Sequence, residues 1–77
     1  MPTVLRGGPY RLYFYSHDWT REPPHVHIDR DELSAKFWLS PVGLARNLGF
    51  SANELRRIER LVSAHQSELL ERWYAEY

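Results

Sequence analysis

Two histidines separated by a single residue, His25 and His27, are the side chains of this 77-residue sequence best placed to do chemistry. Imidazole ionises near neutral pH, so it can give or take a proton under working conditions. Side chains two apart on an extended strand point the same way, with Cα atoms about 6.6 Å apart. Three chemistries are open to such a pair. As general acid and base, with Lys36 or Arg11 holding a phosphate, the histidines would suit RNA cleavage by attack of a 2′-hydroxyl. As metal ligands, they would need completion by His17, Asp18, Glu22 or Asp29, none at a diagnostic spacing. As structural groups, they would hydrogen-bond a loop carbonyl beside Pro23 and Pro24 and do no chemistry.

These residues need strands to present them. Gly7, Gly8 and Pro9 break the chain near its start. Residues 10–16 alternate, with Tyr10, Leu12 and Phe14 opposed to Arg11, Tyr13 and Tyr15. Pro24 has no N–H and suits the start of a strand. From there 25–30 alternates again, Val26 and Ile28 against His25, His27 and Asp29. Arg30, Asp31 and Glu32 read as a hairpin turn, and 33–40 as a third strand ended by Pro41. For 42–48 a fourth strand is preferred over a short helical turn, with a break at 47–49.

The clearest element is C-terminal. Ser51 and Glu54 have the spacing of a capping box, in which the hydroxyl and the carboxylate each take a free N–H. Leu55, Ile58, Val62, His65, Leu69 and Trp73 then recur at helical steps, widened by Leu61 and Leu70. One long helix over 52–75 is expected, its charged residues on a solvated face. The fold expected is α+β, a single domain over 1–77. It is an antiparallel meander of three or four strands with the helix packed across one face.

The face left by the helix then gathers Arg11, Tyr13, Tyr15, His25, His27, Asp29, Lys36 and Trp38. A one-residue slip in register would swap the two faces and bring the strand histidines to His65. On the helix stripe, His65 reads as a satisfied core histidine. Tyr15 and Trp38, beside basic groups, have the character of base-stacking residues, although Trp38 also suits packing at the sheet's rim. Trp73, Tyr74 and Tyr77 are expected to seal the helix end or to face a partner.

Composition bounds the rest. Ten basic and ten acidic side chains cancel, so no strongly basic nucleic-acid footprint spans the whole chain. The absence of cysteine excludes disulfides and thiolate zinc sites. No stretch approaches the roughly 18 apolar residues of a membrane span, and the first residues lack the apolar region of a signal peptide. A cytoplasmic protein without membrane attachment or cofactor is expected.

Several separated motifs occur in one order: Tyr13-Phe14-Tyr15-Ser16, Glu22-Pro23-Pro24-His25-Val26-His27-Ile28, Ala35-Lys36-Phe37-Trp38-Leu39, Gly49-Phe50, the run from Glu54 to Val62, and Leu69-Leu70-Glu71-Arg72-Trp73. This order resembles the small bacterial family labelled domain of unknown function 4160, over about 10–77. The resemblance implies a protein often encoded beside a second small domain, in pairs similar to two-protein toxin–antitoxin modules. It implies a toxin, with ribonuclease activity as the attached suggestion and a small antitoxin-like protein as partner. The loop holding His17 and Asp18 is longer here than in members with a short Asn-Asp-His loop, so that loop's role is not carried over. On this reading His25, His27 and Lys36 are the catalytic candidates, and Arg11, Tyr15 and Trp38 the binding ones. Two rivals stand beside it. One is a non-enzymatic interaction module that binds the neighbour-encoded partner or a second copy of itself. The other is a metal-binding domain ligated by His25 and His27.

Overall fold

Alternating apolar side chains decide which face of each strand is buried, and the strands here alternate in phase. The computed structural model describes residues 3–14 and 22–76. Five strands, β1 (Thr3–Gly7), β2 (Tyr10–Tyr13), β3 (His25–Arg30), β4 (Leu33–Leu39) and β5 (Val42–Leu48), precede two helices, α1 (Ala52–Ala64) and α2 (Gln66–Glu76). The strands form one antiparallel sheet in chain order. The fold is α+β, as its sequence indicates.

Cross-strand pairing aligns the buried side chains. Leu12 lies opposite Ile28, Ile28 opposite Ala35, and Val26 opposite Phe37. With Tyr10, Phe14 and Leu39 they form the sheet half of the core, and Ile58, Val62, Leu69 and Trp73 form the helical half. Burying an aliphatic or Phe side chain contributes about 1.5–3 kcal/mol each. This cluster is therefore the main force holding helices to sheet.

The sheet has five strands rather than three or four. The extra strand, β1, covers residues with no alternation of their own. Its order comes from pairing with β2 across a tight turn at Gly8 and Pro9, where Gly8 has φ +58. The segment 42–48 is a strand. Residues 15 and 16 of the expected 10–16 strand lie outside the described residues, and β2 itself ends at Tyr13.

The helix is also interrupted, at His65. In an unbroken helix the His65 N–H would donate to the Leu61 carbonyl. Here the His65 ring takes that carbonyl through Nδ1 at 3.0 Å, and the N–H turns to Val62 O at 3.1 Å. The helix tightens and restarts at Gln66, whose side-chain amide donates to the Leu39 carbonyl at 2.7 Å. The apolar stripe runs through the break unchanged. His65 is half-buried and hydrogen-bonded, in keeping with a satisfied histidine.

The N-terminus of α1 departs from a reciprocal capping box. Ser51 Oγ accepts from the Glu54 N–H at 3.2 Å, as expected. The Glu54 carboxylate instead faces the sheet. It accepts from Arg30 Nη2 at 2.9 Å, from Arg30 Nε, and from the Tyr10 hydroxyl at 2.9 Å. The clamp joins β2, the end of β3 and α1. Hydrogen bonds from Arg30, helped by Tyr10, hold the Glu54 carboxyl below its ordinary value against the opposing effect of burial. A carboxylate depressed in the folded state stabilises above its unfolded pKa, and that stabilisation disappears as pH falls through the folded value. Glu54→Gln should therefore lower the melting temperature at neutral pH and flatten its acid dependence. Thermal unfolding followed by circular dichroism from neutral to acidic pH measures both effects.

Candidate functional site

The sheet's outer face, turned away from the helices, is a grid fixed by strand register. One row reads Tyr13, His27, Lys36 and Arg46 across β2 to β5. A second reads Arg11, Asp29, Ser34 and Leu48, with Arg6 of β1 beside Arg11. A third holds His25, Trp38 and Gly43. Paired neighbours in such rows have Cβ atoms about 4.5–5.5 Å apart.

The middle row is the most reactive in type. Tyr13 and His27 stack with ring centroids 5.4 Å apart and 23° between planes. The Tyr13 ring, 5% exposed, also carries the Arg11 guanidinium over its face at 4.5 Å. Its hydroxyl donates to Asp29 at 3.1 Å, and Asp29 lies 4.0 Å from Arg11. These contacts orient the His27 ring, which is half-buried. Lys36, the only lysine in the sequence, pairs with Glu22 and lies 5.0 Å from the Trp38 ring centroid. Next to it, Arg46 is exposed and has no ion-pair partner among the described residues. A cleft of about 160 Å³ opens here, lined by His27, Ser34, Ala35, Lys36, Arg46 and Leu48.

His25 occupies a different environment. It shares the row phase of His27, yet it is only 1% exposed. At the strand's first position it sits between the two layers, 5.0 Å from the Trp73 ring of α2, 5.8 Å from Trp38 and 5.3 Å from His27. Its Nδ1 lies 2.9 Å from the Pro23 carbonyl, and since a carbonyl only accepts, Nδ1 carries the proton. Glu22 is 3.7 Å from the same nitrogen. The next carbonyl, that of Pro24, accepts from the Leu39 N–H at 3.0 Å and extends the β3–β4 ladder past the prolines. His25 thus ties the entry of β3 to α2, and His27 faces the cleft.

Of the other residues singled out in the sequence, Arg11, Lys36 and Trp38 lie on the outer face with His27. Tyr15, His17, Asp18 and Tyr77 lie outside the described residues. Trp73 is buried on Phe14 and His25, whereas Tyr74 is 68% exposed. Among the described residues no three His, Asp or Glu side chains gather as a metal site. Also among them, no helix is long and apolar enough to cross a membrane.

Arg46 was not singled out, and alternation explains why. Val42, Leu44, Arg46 and Leu48 share one parity, so a regular strand would send all four to the same face. The register instead steps between Lys36 and Phe37, which oppose Arg46 and Leu44. Ala45 is the extra residue of a bulge, and beyond it Arg46 and Leu48 turn to the outer face. Among the described residues four cations, Arg6, Arg11, Lys36 and Arg46, therefore lie with two carboxylates, Glu22 and Asp29, around this face, although the chain as a whole sums to zero.

No curated protein and no solved structure matches the chain. A family model described as domain of unknown function (DUF4160) does, over residues 9–74. That span takes in all of β2 to β5, both clefted rows and nearly all of the helical layer. The chain belongs to the DUF4160 family.

Proposed function

We propose that the outer face of the sheet engages RNA, and that the chain is the toxin of a two-protein toxin–antitoxin-like pair. The observation that supports this most directly is the row Tyr13, His27, Lys36 and Arg46, a stacked imidazole beside two cations on one open cleft. A phosphodiester in the cleft exchanges Glu22 for its own oxygens on Lys36 and adds Arg46 as a second cation. Neutral His27 takes the proton of an adjacent 2′-hydroxyl, whose oxygen attacks phosphorus to form a cyclic phosphate. The 5′-oxygen departs and receives a proton from the Lys36 ammonium. His25 acts through position, holding the strand entry that sets the His27 ring. Arg11 holds Tyr13 and Asp29 beneath the site.

A second reading is favoured by a separate observation. Leu44 and Leu48 of edge strand β5 are 46% and 57% exposed, and a sheet edge invites pairing with another chain. On that reading β5 binds the neighbour-encoded partner or a second copy. Tight binding of that partner, unaffected by salt and without RNA binding, would select it.

Two outcomes are expected. Induced expression of the wild-type chain should arrest growth, and His27→Ala should relieve the arrest while leaving the circular dichroism spectrum unchanged. Continued arrest by the folded variant would sink the acid–base role. Arg46→Ala should weaken RNA binding at every sequence and reduce the slope of log affinity against log salt by about 1, as loss of one phosphate contact requires.

A further inference from the structure

Three of the four glycines answer to the fold. Gly8 and Gly49 have φ of +58 and +106, and a Cβ on Gly7 would fall 2.7 Å from Leu61 Cδ1. Gly43 answers to neither demand. Its φ is not in the left-handed region, and a Cβ built on it would meet nothing within 4 Å. Glycine inside a strand is disfavoured against alanine, and it marks a bulge, a tight bend, or a place where a ligand or another backbone comes close; the bulge of β5 lies at Ala45, two residues further on. Gly43 lies opposite Trp38 on the outer face. The usual structural remedy for such a glycine is a cross-strand aromatic ring laid over it. Among the described residues no ring does so here, since none has an atom within 4 Å of that Cβ position. The Trp38 ring lies instead against His25 and the Lys36 ammonium.

We propose that the open floor at Gly43, walled by Trp38, is a nucleobase platform. A planar base lies over the Gly43 backbone and against Trp38, with its phosphate reaching Lys36 and Arg46. Lys36 stands two residues from Trp38 on β4, about 6.6 Å along the strand, so one nucleotide spans base and phosphate positions. Aromatic contact tolerates every base, so the platform selects single-stranded RNA without reading its sequence. This rests on the RNA reading above and adds the base subsite to it.

The test compares wild type with Gly43→Val, using a short labelled oligouridine and an abasic chain of equal length, by fluorescence anisotropy at low salt. Wild type should bind oligouridine roughly tenfold more tightly than the abasic chain, the worth of one stacked base. Gly43→Val should melt no lower than wild type, since valine suits strands and has room here. It should bind the abasic chain as wild type does and lose the tenfold preference. A folded Gly43→Val that keeps the preference, or a wild type that binds both chains equally, overturns the platform and leaves RNA binding standing. Failure of wild type to bind either chain overturns the RNA reading and the platform with it. Unfolding of Gly43→Val would show that the fold needs this glycine, which also overturns the proposal.

Discussion

Side chains on a strand alternate between two faces, and among the described residues only one face of this sheet has helices to bury it. That constraint governs the rest of the structure. Once Leu12, Val26, Ile28, Phe37 and Leu39 enter the core, their neighbours have no choice of side. Arg11, Tyr13, His27, Asp29, Lys36 and Trp38 are carried to the outer face, and antiparallel register sets them in rows. The grid is thus a by-product of core formation, which gives it a rigidity that side chains on loops lack. Rigid placement matters for binding and proton transfer, because geometry must be right before a group's pKa is of use.

Two local devices adapt the simple plan. A regular β5 would turn Arg46 and Leu48 toward the helices. The bulge at Ala45 turns them to the cleft and leaves Asn47 to close the turn into α1, bonding both the N–H and the carbonyl of Phe50 at 3.0 Å. On the helical side, His65 diverts the Leu61 carbonyl and lets one apolar stripe continue as two helices. Gln66, at the restart, then reaches the end of β4. Polar contacts tie the helix layer to the sheet at two points, Glu54 to Arg30 and Tyr10 at its start, and Gln66 to Leu39 at the break between α1 and α2.

Electrostatically the chain separates what its composition averages. Ten cations and ten carboxylates sum to zero, yet among the described residues the outer face holds an excess of cations, and one of these, Arg46, has no ion-pair partner among them. Glu22 occupies Lys36 as an internal anion, which on the proposed reading a phosphate would displace. Such a face suits modest, salt-sensitive affinity better than the strong non-specific binding of a basic protein. On the proposed reading, base stacking adds affinity without adding charge.

Local sequence determined a good deal by itself. The two-residue period of Tyr10 to Phe14, Val26 to Ile28 and Ala35 to Leu39 named the core side of three strands. The three- and four-residue steps from Leu55 to Trp73 named the helix stripe, and Ser51 marked its start. Those signals are legible because each repeats over several residues of one element. Tertiary structure decided what depends on a single neighbour from elsewhere in the chain. β1 became a strand because β2 was there to pair with it. Glu54 left its capping role because Arg30 and Tyr10 offered stronger, charge-assisted partners. His25 and His27 have the same period and the same side-chain type. One is buried on Trp73 and the other opens on the cleft, because only the first lies where the end of α2 meets the sheet. Periodicity states which face a residue takes; what covers that face is settled only when the layers meet.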